Sequence, residues 1–220
     1  IGLLSLYDRG FPRSEVLQWM ADGPVLDTAG HRVPADRWDR LSRDAGVSRD
    51  LDTWQQRLDR YASDQNQRAD ELPADAAESE QRRTRDQARA ADALALLAEV
   101  EELHALAGTA LTASNWATAS ERLFAMLQRS LGPRTLVDGW SDRASDELAQ
   151  PVELEQGAYD AVTTALRSLA VLDVPIDPAA VVDAVAEAFA VSAASGTTLG
   201  RGVLVGTLRS FAGADLDLLL

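Results

Sequence analysis

A chain of 220 residues, 46% of them hydrophobic, can bury a core and suits one large or two small domains. Its 35 acidic residues against 21 basic ones give a net charge of -14 and a pI near 4.5, so the surface as a whole repels a phosphate backbone and any nucleic-acid contact must be local. The absence of cysteine excludes disulfides, thiolate nucleophiles and Cys-based zinc sites; the absence of lysine, all 21 basic residues being arginine, excludes a complete Walker A loop, a Schiff-base amine and a lysine-bearing nuclease core.

No uninterrupted apolar run approaches membrane-spanning length and no signal-peptide pattern opens at Ile1, so a cytoplasmic location without membrane contact is expected. Residues 1–62 read as short helices joined by turns. Leu3, Leu4, Leu6 and Tyr7 form an apolar opening that Gly10 ends, and Pro12 suits the first turn of a helix with Val16, Leu17 and Met20 on one face. Gly23-Pro24 and Gly30 bracket a loop, Pro34 restarts a helix with Trp38 and Leu41, and Gly46 is a natural left-handed terminator. From Asp50 onward, Leu51, Trp54, Leu58 and Tyr61 mark a further helical face. Trp19, Trp38 and Trp54 are each in phase with aliphatic neighbours, which favours packing over a base-stacking platform.

Residues 63–80 read as a polar flexible loop because almost no apolar side chain is available to pack. Arg82, Arg83, Arg85 and Arg89 form the densest basic cluster, but Glu78, Glu80, Asp86 and Asp92 interleave with them and point to a solvated helix with paired charges. The spacing predicts that this helix carries Leu94, Leu97, Val100 and His104 and stops at Gly108. His104 and His31 lack partners at metal-ligand spacing and read as packed or surface residues. Ser114 or Asn115 caps a helix with Trp116, Leu123, Leu127 and Leu131 that ends at Gly132-Pro133. After a shorter segment holding Trp140, a long helix places Leu154, Ala158, Val162, Ala165, Leu169 and Leu172 along one stripe; Asp177-Pro178 opens the last helix, with Val181, Val185 and Phe189 on its face. Residues 81–195 are expected to pack with 1–62 as one domain.

Catalytic constellations are missing from the sequence. Acidic pairs such as Glu101-Glu102 and Glu153/Glu155 read as solvated helix faces, and no nucleophile elbow or dinucleotide loop is present.

Residues 196–220 differ from the rest. Val203 to Val205 and Leu216 to Leu220 are apolar runs flanking Thr207, Arg209, Ser210 and Gly213, a strand-loop-strand pattern expected at the edge of an α/β core domain that continues beyond the chain. This stretch resembles motif V of the UvrD/RecB-type superfamily 1 DNA helicases: Thr207 falls on the motif threonine, Gly213 on its glycine and Asp215 on its acidic residue. Arg209 stands for the family's histidine, Ala212 for its lysine, Ala214 for its leucine and Leu216 for its phenylalanine, departures similar to the degenerate helicase-like, exonuclease-bearing B subunit of AddAB-type repair enzymes. The Ser14-Glu15-Val16-Leu17 run also resembles the opening of the family's helical 2B-type insertion domain.

The resemblance implies a mainly α, bundle-like insertion domain with a short C-terminal strand pair, serving DNA repair or recombination by guiding DNA or scaffolding rather than by catalysis. It implies Thr207, Arg209, Ser210 and Gly213 at a DNA phosphate and Asp215 on the nucleotide side, although a strand-turn-strand on a protein interface explains the same residues. No cofactor is expected within this chain, with ATP and Mg belonging to the parent; DNA through the parent, other helicase or nuclease domains, or a partner subunit are the implied partners. The alternative is a stand-alone acidic helical module that binds a partner through a groove between amphipathic helices.

Overall fold

The computed structural model describes residues 1–23, 25–73, 77–141 and 146–196, which form α1 (Gly2–Asp8), α2 (Arg13–Asp22), α3 (Ala35–Asp44), α4 (Leu51–Asp70), α5 (Ala77–Leu111), α6 (Trp116–Leu131), α7 (Arg134–Ser141), α8 (Asp146–Leu169) and α9 (Pro178–Gly196). The chain is mainly helical, and among the described residues the extended pairing is a lone antiparallel bridge between Leu26 and Arg32. The strand pair expected in 196–220 lies outside the described residues apart from Gly196, which is the last residue of α9.

Local punctuation positions the first four helices. Gly10 takes a φ of +72° in the turn between α1 and α2, where a Cβ would collide with the Asp50 Oδ1. Phe11 follows with φ +49°, unusual for a bulky residue, and is held from both sides: its N–H donates to the Leu6 carbonyl (2.9 Å) and its carbonyl accepts from the Trp54 indole N–H (2.9 Å). The Asp50 N–H donates to Gly10 O (2.6 Å) and the Arg13 N–H to Ser48 O (2.8 Å), so this turn is stitched to the start of α4. Gly46, at φ +74°, ends α3 as its position predicts.

Helices α4 and α5 form an antiparallel hairpin, with Gln55 donating to Glu101 near one end and Arg83 donating to the Ala69 and Leu72 carbonyls near the other. The expected loop over 63–80 is therefore corrected: α4 runs on through Asp70 and α5 opens at Ala77. The reason is a narrow stripe, Ala62, Gln65 and Ala69, buried at i, i+3 and i+7 against the neighbouring helix. Small side chains let two backbones approach without large apolar residues, and Arg83 satisfies carbonyls that the end of α4 leaves open.

At 35 residues α5 is about 52 Å long, and it passes through Gly108 to Leu111 rather than stopping there. Gly108 is not a terminator. The Tyr7 ring of α1 lies against it, so that a Cβ would sit 2.9 Å from Tyr7 Cε2, and a close approach between helices requires the glycine. Asn115 caps α6 by accepting from the Thr118 N–H (2.8 Å), and Asp177 caps α9 by accepting from the Ala179 N–H (3.0 Å), both at the expected positions. The expected stripe of α8 is only partly used: Ala165 and Leu169 are buried, with Leu166, outside the expected stripe, buried beside them, whereas Leu154 is 67% exposed and Leu172, beyond the helix end, is 42% exposed. Leu154 sits about 120° round the helix from Leu166, past the edge of the covered face.

One continuous cluster of buried side chains runs from Leu3 on α1 to Val185 on α9, so residues 1–62 and the later helices share a core. No described helix is long and apolar enough to cross a membrane.

Candidate functional site

Five helices enclose the feature of most chemical interest. Between α1, α2, α6, α8 and α9 lies a cavity of ≈ 270 Å³, open on one side, whose walls include Leu4, Trp19, Leu127, Val162 and Phe189. The Trp19 indole reaches it by lying over Gly2, where a Cβ would stand 3.0 Å from Trp19 Cδ1. Ser130, near the end of α6, is the hydroxyl residue on this wall. It is 4% exposed, and its Oγ has no hydrogen-bond partner in the protein. An unpaired buried hydroxyl costs about 1–3 kcal/mol, so its presence in an apolar wall calls for an account.

Beside Ser130 in the chain, Arg129 organises a buried charge cluster. Its guanidinium donates to Glu102 (2.8 and 2.6 Å), to Glu99 Oε2 (2.7 Å) and to the Leu26 carbonyl (2.6 Å). The Leu26 N–H donates in turn to the Ser130 carbonyl (2.9 Å), so the 25–33 loop is latched onto α6 at the rim of the cavity. Glu99 is 3% exposed and its Oε1 has no partner. Burial pushes its carboxyl above the usual range, against the hydrogen bond and charge of Arg129, while the hydrogen bonds that Arg129 donates to Glu102 and then to Glu99 hold it protonated. Two carboxyl groups and one guanidinium share the site.

A third group is aromatic. His104 on α5 packs its ring 4.6 Å from that of Tyr7 and 5.1 Å from that of Phe11, as a packed histidine, and burial lowers its pKa below the usual 6.5. The unfolded chain therefore takes up this proton first, and the contribution of His104 to stability is lost as pH falls below 6.5 through the folded value. Glu99 acts with the opposite sign: its folded pKa lies above 4.5, so the fold gains from that group as pH falls towards 4.5. Replacing His104 by phenylalanine should flatten the acid-side loss, read as a smaller difference in Tm between about pH 7.5 and about pH 5.5 than in the wild type. An equal difference in the two proteins would refute this origin.

The remaining sequence candidates are placed as follows. Thr207, Arg209, Ser210, Gly213 and Asp215 lie outside the described residues. Arg82, Arg83, Arg85 and Arg89 pair with Glu78, Glu80 and Asp86; the expected solvated face is corrected at Asp86, which is buried, and at Arg83, which turns to the end of α4. Trp38 and Trp54 are buried, whereas Trp19 is a cavity wall. Glu101 and Glu102, expected on a solvated face, instead bind Gln55 and Arg129. Glu99 was not singled out from the sequence, although its i,i+3 spacing to Glu102 within the apolar run from Leu94 to Leu103 is a signal that could have flagged it. Among the described residues no group of three or more histidine and carboxylate side chains is placed to hold a metal ion.

Comparison with protein-family models, with curated proteins and with solved structures finds no match for this chain.

Proposed function

We propose that this chain is a non-catalytic helical binding module that holds an apolar group in the cavity between α1, α2, α6, α8 and α9. The observation that carries the reading is the cavity itself: a concave, open, apolar site with a single buried hydroxyl on its wall, the composition of a recognition pocket. The paired arginines and carboxylates elsewhere on the described surface offer no comparable concentration of chemistry.

A second reading is favoured by the residue pattern of 202–220 and by the mainly helical body: the insertion domain of a UvrD/RecB-like parent that guides DNA while ATP hydrolysis and nuclease cleavage reside elsewhere. The net charge of -14 limits that role to a local contact near Thr207, Arg209 and Ser210.

Nile red, a neutral apolar dye, separates the two. The binding-module reading expects its fluorescence to rise in the wild type and to fall several-fold in Val162→Phe, which fills the cavity, with both proteins melting cooperatively. Equal dye binding by the two proteins would refute it. Single-stranded DNA added in the same assay should leave the dye in place, and salt-sensitive retention of DNA without ATPase activity would support the insertion-domain reading instead.

A further inference from the structure

We propose that the cavity takes the end of a long hydrocarbon chain, the tail of an amphiphile whose remaining methylenes lie on an apolar track outside the mouth and whose head group stays in water. This rests on the binding-module reading above and names its ligand.

The buried part of the wall sets the chemistry. Leu4, Leu123, Leu166 and Val185 are hydrocarbon, and the Ser130 Oγ is closed off, so a polar group drawn in among them would lose its water without gaining a partner. Volume sets the shape. A dry apolar cavity of ~150 Å³ accommodates benzene, so ≈ 270 Å³ accommodates roughly ten or eleven non-hydrogen atoms. One protein side chain, even phenylalanine, would leave part of that space without contacts, whereas a run of methylenes fills it. The mouth sets the length. Ile1 and Leu131 are the exposed members of the wall, so the opening is itself apolar. Beyond Leu131 the apolar surface continues. A Cβ at Gly132, the next residue, would meet the side chains of both Leu26 and Leu136 at 3.1 Å, and Leu136 is exposed. A ligand that ended inside the cavity would leave this track in water, and a longer chain covers it.

Octyl, decyl and tetradecyl maltoside, which share one head group, test the assignment by isothermal titration calorimetry on the full chain below micelle-forming concentrations. Decyl maltoside should bind about tenfold more tightly than octyl, since each buried methylene adds about threefold. Tetradecyl should bind at least about fivefold more tightly again, its added methylenes being covered on one side only. Leu136→Ser, on the track, should weaken tetradecyl by about fivefold and leave octyl within about twofold; Leu26→Ser is a second track variant should the first misfold. Val162→Phe, which fills the cavity, should weaken every chain length. Tetradecyl binding no tighter than decyl, tetradecyl binding unchanged in both track variants, or octyl weakened by them as much as tetradecyl would each overturn the proposal. Should no maltoside bind while Nile red still distinguishes wild type from Val162→Phe, the ligand assignment falls and the binding-module reading stands.

Discussion

Replacing Arg129 by methionine is expected to destabilise the fold by about 3 kcal/mol, because it leaves Glu99 buried with no cation beside it. The lower end of the range for a broken buried pair applies, since Glu102 is 35% exposed on its side chain and water can partly replace the arginine there, whereas Glu99, at 3%, has no such recourse. For a chain of this size the loss corresponds to a fall of roughly 6–12 °C in Tm. The mechanism predicts a rescue: Glu99→Leu combined with Arg129→Met removes both the orphaned charge and its desolvation cost, and should recover most of the loss. Thermal unfolding of the wild type, the single variant and the pair decides the matter. A single variant that melts with the wild type would show that the cluster is not energetically coupled, and a pair no better than the single variant would show that Arg129 acts through its Leu26 contact instead. Since Arg129 also holds the 25–33 loop through the Leu26 carbonyl, the single variant should further expose the Leu26 and Val33 amides to faster hydrogen exchange.

Trp54→Ala should cost about 4 kcal/mol, the larger of the two expected effects. Trp54 is fully buried among the residues that join α1, α2 and α4, so truncation opens a cavity that the surrounding helices cannot collapse into. The indole N–H also serves the Phe11 carbonyl, within a turn whose left-handed residue is strained for a side chain of that size. Trp54→Phe separates the two contributions. It keeps much of the volume but leaves the Phe11 carbonyl unpaired, and should cost about 1–3 kcal/mol. Urea midpoints for the three proteins test the ordering, alanine worst and phenylalanine between. Equal midpoints for Trp54→Phe and the wild type would show that the hydrogen bond contributes nothing net.

The two predictions fall on different kinds of residue, and the difference runs through the whole protein. Trp54 was legible in the sequence as a packed residue, since its phase with Leu51, Leu58 and Tyr61 depends only on helical period. Arg129 and Glu99 were not, because their meeting depends on how α5 and α6 cross.

What the sequence determined by itself is the mainly helical class and its punctuation: the turn at Gly10 to Pro12, the terminator at Gly46, and the caps at Asn115 and Asp177. These are properties of neighbouring residues, carried by side-chain period, backbone permissiveness and local hydrogen bonds. Tertiary structure alone decided that residues 63–70 continue a helix, because the stripe of Ala62, Gln65 and Ala69 has value only against α5. It decided that Gly108 admits the Tyr7 ring instead of ending α5, and that Glu99 lies buried beneath an arginine which also grips a carbonyl 103 residues away. The cavity belongs to this second kind, for its walls come from five helices and no segment of the chain encodes an empty space between others.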